Sequence, residues 1–235
     1  MKYFFIPFIF LFIVDIFSQS VDGGNGHSLI LDREGNVYAI GRNNYGQLGD
    51  STYINSSIPK LVSRLPKIKV ISRGYDHSLA IDSSGNIWEW GRNNYGQLGT
   101  VLANDYNVPQ KLKGHSNFKS VEGGHWHTVA LKNDGTVWSW GHNYYGELGS
   151  GDREHSSFPV QVVKENGEKL TNIKAITCVG YHTLALDNDG NVFSWGGNEF
   201  GELGHFDNKI QPFAKKIKQL NSITDIAVGA SFSST

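Results

Sequence analysis

The sequence has little cysteine and little excess charge. Cys178 is the one cysteine in 235 residues, which excludes an intrachain disulfide framework and a zinc site built from cysteines. We expect it to be a small buried side chain. Because 21 basic and 22 acidic residues leave a net charge of −1, no overall field attracts nucleic acid or acidic membranes. We therefore predict no direct nucleic-acid partner.

The composition also argues against helices and against disorder. Charged residues make up only 18% of the chain and aromatic residues 12%, whereas disordered segments are rich in charge and poor in aromatics. The 28 glycines disfavour helices, and aromatic side chains favour strands. The sequence therefore predicts an all-β fold.

Residues 1–20 differ in character from the rest of the chain. An apolar run over residues 4–17, interrupted by one proline and one aspartate, follows a lysine and precedes Ser18 and Ser20. Small residues at these two places are typical of a secretory signal peptide, with cleavage between Ser20 and Val21. The run is too short and too interrupted for a membrane span of about 20 apolar residues. We predict a secreted protein; the alternatives are an uncleaved anchor and a wrongly assigned gene start, with residence in cytoplasm or nucleus.

Secretion would expose one glycosylation motif. Asn55 begins an Asn-Ser-Ser triplet, the acceptor pattern for N-linked glycans. We therefore predict a glycan on Asn55 in a secreted product.

Residues 21–235 are repetitive. A block of the type DHSLAIDSSGNIWEWGRNNYGQLG occurs four times, at 26–49, 76–99, 126–149 and 181–204. Its histidines, His27, His77, His127 and His182, are spaced by 50, 50 and 55 residues. A partial fifth repeat occupies 228–235, where Phe232 stands fifty residues after His182. Such a period indicates a propeller or a solenoid.

Each block predicts a β-hairpin. A short apolar strand runs into an Asp/Asn-Gly turn, and the return strand alternates with period two, which places its large residues on one face. These pairs are Tyr38/Ile40, Trp88/Trp90, Trp138/Trp140 and Phe193/Trp195, and we expect them to pack between neighbouring units. Segments between blocks, such as 59–74, predict two further strands nearer the surface. The result is four strands per unit of about 50 residues, the pattern of a propeller blade.

The tandem pattern G-x-x-H-[ST]-L-A-L…D-G-x-[VIL]-[WYF]-x-W-G-x-N-x-[YF]-G-Q-L-G resembles the repeat of the RCC1 (regulator of chromosome condensation) family. The resemblance covers residues 21–235 and implies a β-propeller, with about four four-stranded blades and the start of a fifth. Members of that family typically form seven-bladed rings, so we expect an open arc here. An open arc exposes blade faces at both ends, and we expect self-association through them or a natural protein that continues past Thr235.

No catalytic, metal or cofactor site is predicted. The four repeat histidines belong to different blades, so we expect each to make a structural hydrogen bond to a neighbouring loop. The sequence DNDG at 187–190 lacks the ligand pattern of a calcium loop. No serine, cysteine or lysine lies in a recognisable nucleophile motif.

Positions that vary between repeats are better candidates for binding than those that are shared. Two sets vary: the residues just before the repeat histidine and the residue after the Trp-Gly strand end. We predict that they lie on one rim and form a protein-binding patch, because Tyr, Trp and Arg dominate binding hot spots. The candidates are Tyr75, Asp76, His125, Trp126, Tyr181, Arg42, Arg92 and His142.

Three function classes follow from the resemblance. The first is a non-catalytic scaffold for protein–protein interaction. The second is a guanine-nucleotide exchange factor for a Ran-like GTPase, which in the family uses an inserted wedge; here the one insertion is ENGEK at 165–169. The third is a fragment of a larger protein such as a HERC-type ubiquitin ligase. The signal-like start favours the first.

The prediction of export is tested by expression in a eukaryotic host. We expect the protein in the medium, beginning at Val21 and carrying a glycan on Asn55, because signal peptidase cleaves after the small residues. Mass spectrometry of the secreted product checks both. Recovery of intact protein from the cytosol or nucleus contradicts the prediction.

Overall fold

The computed structural model describes residues 18–100 and 102–229, and within them the regular structure consists of strands and isolated bridges. Blade 1 contains β1 (Ser18–Gly23), β2 (His27–Asp32), β3 (Val37–Gly41) and β4 (Ser56–Leu61). Blade 2 contains β5 (Ile68–Arg73), β6 (His77–Asp82), β7 (Ile87–Gly91) and β8 (Tyr106–Lys111). Blade 3 contains β9 (Phe118–Gly123), β10 (His127–Lys132), β11 (Val137–Gly141) and β12 (Ser156–Gln161). Blade 4 contains β13 (Ile173–Val179), β14 (His182–Asp187), β15 (Val192–Gly196) and β16 (Gln211–Lys216). In this part of the chain no helix is long and apolar enough to cross a membrane.

Each blade is an antiparallel sheet whose four strands lie in chain order. The central hairpin has the turn that the sequence predicts: in blade 2 the Asp82 carboxylate accepts hydrogen bonds from the backbone N–H groups of Ser84 and Asn86, at 2.9 and 3.0 Å. Gly85 adopts a φ of 78° there, a conformation that suits glycine. Local turn chemistry thus fixes the register of the hairpin.

The four blades follow one another in an open arc in the described part of the chain. The first strands are innermost, because β5 packs against β1 and β9, and β9 packs against β13. The prediction that both strands of segment 59–74 lie nearer the surface is therefore wrong for β5. The inter-block apolar stretches are divided between an outer strand of one blade and the inner strand of the next. Phe232 of the fifth repeat lies outside the described residues.

Neighbouring blades share hydrophobic cores. Leu29 and Leu31 of blade 1 pack with Ala80 and Trp90 of blade 2, and Trp88 packs against the same cluster. Trp140 and Trp195 take the place of Trp90 in the next two interfaces. The three tryptophans are fully buried, so the pairs of blades 2, 3 and 4 pack between blades as the sequence predicted, whereas no other described sheet covers the Tyr38/Ile40 pair of blade 1.

A repeated hydrogen-bond pair, which we call the histidine link, joins adjacent blades. His27 Nε2 lies 2.9 Å from Ser78 Oγ, and Ser78 Oγ donates to the Gln47 carbonyl at 2.8 Å. Because the hydroxyl proton is used on the carbonyl, the histidine Nε2–H is the donor to the hydroxyl. An equivalent bond joins His77 to Thr128, and His127 bonds instead to Cys178 on β13 of the next blade. His27, His77 and His127 therefore have the structural role predicted for them, although their partners lie on strands of the next blade and not on loops; no such bond of His182 is seen among the described residues.

Glu89 is an unusual component of the interface between blades 2 and 3. Its carboxylate is fully buried; Oε1 accepts a 3.0 Å hydrogen bond from Trp140 Nε1, and Oε2 has no hydrogen-bond partner in the part of the chain described. Burial raises the pKa of Glu89 well above its usual range, and the Trp140 bond opposes this only in part. Burial thus favours the protonated form of Glu89 in the folded protein.

Replacing the interface tryptophan tests the core assignment. We expect Trp140→Ala to lower the free energy of unfolding by about 3–5 kcal/mol, since a fully buried aromatic side chain is lost. Phe158→Ala is the matched control, because Phe158 is 56% exposed on β12 and its loss should change stability by less than about 0.5 kcal/mol. Equal unfolding midpoints of the two variants in urea would contradict the assignment.

The buried carboxyl predicts a pH dependence of stability. Above its ordinary pKa, Glu89 ionises in the unfolded chain but keeps its proton in the folded one, so its contribution to stability falls as the pH rises toward the raised pKa. Glu89→Gln removes this titration. We expect the variant to gain about 1–3 kcal/mol over wild type at neutral pH, because each pH unit between the ordinary and the raised pKa costs the folded protein about 1.4 kcal/mol. Urea unfolding at pH 4 and pH 8 measures it; a difference that does not grow with pH contradicts the interpretation.

Candidate functional site

One edge of the arc, which we call the histidine rim, carries the predicted binding residues. It consists of the loops before the repeat histidines (24–26, 74–76, 124–126, 180–181) and the long loops after the third strands (42–55, 92–105, 142–155, 197–210). Both kinds of loop meet at one edge because the histidine pairs directly with the glycine that ends the third strand, as His77 does with Gly91. A side chain at Gly91 would collide with the Asp76 carbonyl, 2.6 Å from its Cβ position. Glycine there allows the two loops to touch.

Where the rim loops of blades 1 and 2 meet, the predicted charged residues form one ion-pair network. Asp76 Oδ1 lies 3.4 Å from Arg42 Nη1, and Asp76 Oδ2 lies 3.2 Å from Arg92 Nη1. Gln47 Nε2 also donates to Asp76 Oδ1 at 3.4 Å. Burial raises the pKa of Asp76, and the two arginines act against this shift. The network fixes the loops of blades 1 and 2 against each other.

The predicted aromatic residues form a continuous strip over blades 2, 3 and 4. The Tyr75 and His125 rings have centroids 4.0 Å apart, and Trp126 and Tyr181 lie 4.5 and 5.0 Å from His125. The Arg92 guanidinium lies 5.9 Å from the Trp126 ring and so connects the strip to the ion-pair network. Seven of the eight predicted patch residues are thus connected along one rim, although Asp76 itself is buried.

His142 joins that surface through a buried hydrogen bond to Glu147. Its Nδ1 lies 2.7 Å from Glu147 Oε1, while Glu147 Oε2 accepts from the Tyr145 backbone N–H at 2.7 Å. Burial raises the pKa of Glu147, but the His142 hydrogen bond and the nearby histidine charges bring it below its usual value. The His142 ring stacks on His155 at 4.6 Å and lies 5.4 Å from Trp126.

His125 and Tyr181 of this surface are neutral at physiological pH. Burial lowers the pKa of His125 to about 4, aided by the Arg92 charge. Burial also raises the pKa of Tyr181 to about 12. The patch therefore combines a neutral aromatic strip with the arginine–aspartate ion pairs of its first network.

Sequence reasoning missed a second set of aromatic residues on this rim. They occupy the shared aromatic position of the N-x-[YF]-G loop and were assigned to the fold because they recur. In the structure Tyr45 and Tyr95 are half-buried beside Arg92 and Trp126, and Tyr145 is 37% exposed. The signal in the sequence that could have identified these tyrosines is that they recur close to the variable positions.

Where the rim loops of blades 2 and 3 meet, no acidic residue takes the place of Asp76. Trp126 stands where Asp76 stands in the preceding repeat, so Gln97 has no carboxylate opposite its amide. Gln97 Nε2 and Trp126 Nε1 are buried and have no hydrogen-bond partner among residues 18–100 and 102–229. Arg92, which follows the return strand of the same repeat as Gln97, turns to Asp76 instead.

Asn55 has a structural role of its own. Its Oδ1 accepts a 2.7 Å hydrogen bond from the Asn43 backbone N–H. Asp105 and His155 make the same contact to Asn93 and Asn143 in the next two blades. Asn55 is exposed, and the use of its Oδ1 leaves Nδ2 as the atom that a glycan would modify.

The remaining chemical candidates are structural. Cys178 is buried and hydrogen-bonded to His127. Burial raises the pKa of Cys178 to about 12, so the sulfur is a thiol and not a nucleophilic thiolate. Within the described ranges no group of three or more His, Cys, Asp or Glu side chains is arranged to hold a metal ion. The DNDG sequence at 187–190 forms the hairpin turn of blade 4.

Comparison with known proteins identifies the repeat. The family model for the RCC1-like domain matches residues 13–235. The human regulator of chromosome condensation is 42% identical over 53 residues, which cover 22% of this chain and 13% of that protein.

Two solved structures resemble the arc. Human WBSCR16 aligns with a TM-score of 0.75 and 28% identity over 85% of this chain and 52% of that one. Prp20p from Saccharomyces cerevisiae aligns with a TM-score of 0.74 and 24% identity over 85% of this chain and 50% of that one. The chain thus spans about half the length of these solved chains. Since the family model matches nearly the whole sequence, the chain belongs to the RCC1-like domain family.

Proposed function

We propose that this protein is a non-catalytic RCC1-repeat scaffold, exported from the cell, that binds a protein partner through the histidine rim. The continuous aromatic strip from Tyr75 to Tyr181, with Arg42 and Arg92 beside it, is the observation that carries the proposal. Aromatic and arginine side chains held rigid by packing lose little entropy on binding and dominate interface hot spots.

The internal contacts of the rim support a preformed interface. Asp76 fixes both arginines, and the hydrogen bond to Glu147 fixes the ring of His142. A surface whose rotamers are set before binding avoids part of the ordering cost. Tyr144, which is 58% exposed next to this framework, offers contact area to a partner.

Export is consistent with the architecture of blade 1. Cleavage after Ser20 would remove the beginning of β1 but leave Val21, Asp22 and Gly23 paired with β2. Asp22 Oδ1 would keep its ion pair with Arg73, at 3.7 Å, and the Gly23 carbonyl its 2.8 Å hydrogen bond from Arg73 Nη2. The mature chain thus retains a link between blades 1 and 2 at the inner strands.

A crosslinking experiment tests the rim. A photoreactive amino acid at Tyr145 should capture a partner from the medium in which the protein occurs, whereas the same group at Phe158, on the outer strand β12, should not. Binding to the identified and purified partner is then measured by calorimetry. We expect Trp126→Ala to weaken it at least tenfold, as loss of a hot-spot side chain does, and Phe158→Ala to leave it unchanged. Equal affinities of the two variants would contradict the proposal.

Exchange activity on a Ran-like GTPase is the second candidate, favoured by the likeness of the arc to Prp20p, whose structure is described together with its binding to Gsp1p and histones. The ENGEK insertion forms a tight turn closed by the Lys164 N–H to Glu168 carbonyl bond, at the edge opposite the histidine rim. Release of labelled GDP from purified Ran tests this candidate: acceleration by catalytic amounts of the protein supports it, and an unchanged rate removes it.

A further inference from the structure

The rim loops of blades 2 and 3 bring together three side chains that can donate hydrogen bonds, Arg92, Gln97 and Trp126, which we call the donor cluster. The two loops touch, since the Cβ position of Gly141 lies 2.6 Å from the Trp126 carbonyl oxygen and 3.1 Å from Gln97 Cα. Gln97 is fully buried, and neither Gln97 Nε2 nor Trp126 Nε1 has a hydrogen-bond partner in the described part of the chain. Because both atoms are donors, they cannot satisfy each other, and the cluster needs an acceptor.

The orientation of the Gln97 amide shows where that acceptor belongs. Gln97 Oε1 accepts a 2.9 Å hydrogen bond from the Tyr95 backbone N–H, which identifies the oxygen and directs Nε2 away from that loop. Gln47 is held in the same way by the Tyr45 backbone N–H, at 2.9 Å, and its Nε2 donates to the Asp76 carboxylate. Gln97 Nε2 is therefore aimed at the place that holds a carboxylate in the preceding repeat.

Arg92 has one nitrogen that is available for a further hydrogen bond. Its Nε donates to Asn94 Oδ1 at 2.9 Å, and its Nη1 lies 3.2 Å from Asp76 Oδ2. Its Nη2 donates to no residue that the structure describes. Asp76 is also shared with Arg42, whose Nη1 lies 3.4 Å from the other carboxylate oxygen. Arg92 can therefore pair with a second carboxylate at the donor cluster and keep its bond to Asp76.

The acidic side chains nearest to the donor cluster are bonded elsewhere. One oxygen of Glu147 lies 2.7 Å from His142 Nδ1, and the other accepts from the Tyr145 backbone N–H. Asp105 Oδ1 accepts a 2.8 Å hydrogen bond from the Asn93 backbone N–H. Neither acid bonds to a member of the donor cluster among residues 18–100 and 102–229, so the rim itself does not supply the acceptor.

We propose that the protein partner presents a carboxylate, the side chain of an aspartate or a glutamate, to the donor cluster; this inference rests on the proposed function of the histidine rim. The carboxylate accepts from Gln97 Nε2 and Trp126 Nε1 and pairs with Arg92 Nη2, as Asp76 does with its own glutamine and arginines. A carboxylate fits because it only accepts, has lone pairs for several donors, and forms strong charge-assisted bonds to arginine.

Trp126 is the side chain that must move to admit the carboxylate. Its ring is half-buried and packs on Tyr95 and His125, with centroids 5.2 and 4.5 Å apart. It makes no hydrogen bond within the described ranges, so a tilt of the ring breaks none and gives its Nε1 an acceptor. The bound carboxylate is then shielded from water, which strengthens its bonds to the donor cluster.

Acetate tests the site without a partner, and acetamide, of the same size but uncharged, is the control. Nitrogen-15 NMR of the full chain at neutral pH follows the Trp126 indole N–H and the Gln97 side-chain amide at constant ionic strength. We expect acetate to shift both resonances along one saturable curve, with a dissociation constant of about 1–30 mM for so small a ligand. Acetamide should leave both resonances unchanged.

Two variants locate the effect, each with a matched control. Gln97→Glu supplies a carboxylate from the chain itself, at the repeat position where blade 3 has Glu147, and should weaken acetate binding at least about tenfold. Gln219→Glu adds the same charge at an exposed side chain and should have no effect. Arg92→Gln should weaken acetate binding about fivefold to tenfold, whereas Arg64→Gln, at an exposed side chain between β4 and β5, should not.

The acetate result decides the site whether or not a partner is captured. The absence of a saturable shift overturns the inference, and so does an equal shift with acetamide, because any polar molecule or an ordered water then satisfies the donors. Unchanged acetate binding by Arg92→Gln also overturns it, and this variant decides if circular dichroism shows Gln97→Glu to be unfolded.

The partner captured by crosslinking at Tyr145 provides the second arm. Acetate at about 100 mM should weaken its binding at least about threefold relative to chloride at equal ionic strength, because acetate occupies the donor cluster. A partner whose affinity does not respond to acetate overturns the inference and leaves the proposed function standing. Saturable acetate binding without any captured partner overturns the proposed function, and with it the assignment of the carboxylate to a partner.

Discussion

The histidine link is the interaction on which the arc depends. A blade has one apolar stripe on each face and cannot bury either alone, so the fold requires a device that fixes the angle and height of each blade against the next. The imidazole Nε2–H, the hydroxyl of the following blade and the carbonyl of the intervening loop form one chain of hydrogen bonds within that apolar contact. Because the bonds are directional, they specify an orientation that hydrophobic packing alone leaves free.

The same link explains why these histidines carry no chemistry of their own. Burial lowers the pKa of His77 to about 3, with smaller contributions from neighbouring histidines and Arg73. The fold therefore requires the neutral imidazole. At pH values below the ordinary pKa of histidine, the unfolded chain binds protons that the folded protein excludes, so stability falls. In the third interface His127 bonds to Cys178 on the inner strand β13 and not to Thr183, which stands at the position of Ser78 and Thr128.

Much of the fold was predictable from the sequence, since the repeat fixes the blade and each hairpin has its own turn signals. The inner position of β5 was not predictable, because a short apolar stretch with lysines is typical of a strand near the surface. Only the arrangement of the blades shows that this strand is innermost. The rim was predictable as a set of variable positions, and the structure joins all of them. Tyr95 and Glu147 were missed because their places belong to the shared motif, and only the three-dimensional arrangement shows that shared and variable residues touch.

A double-mutant cycle on one histidine link tests this account most directly. His77→Phe and Thr128→Val each remove one partner of the bond between blades 2 and 3 while keeping similar size. The account predicts that the two losses in free energy of unfolding are not additive, with a coupling of about 0.5–1.5 kcal/mol for the bond. Losses that add to within about 0.3 kcal/mol would show that apolar packing alone holds the blades and would contradict it.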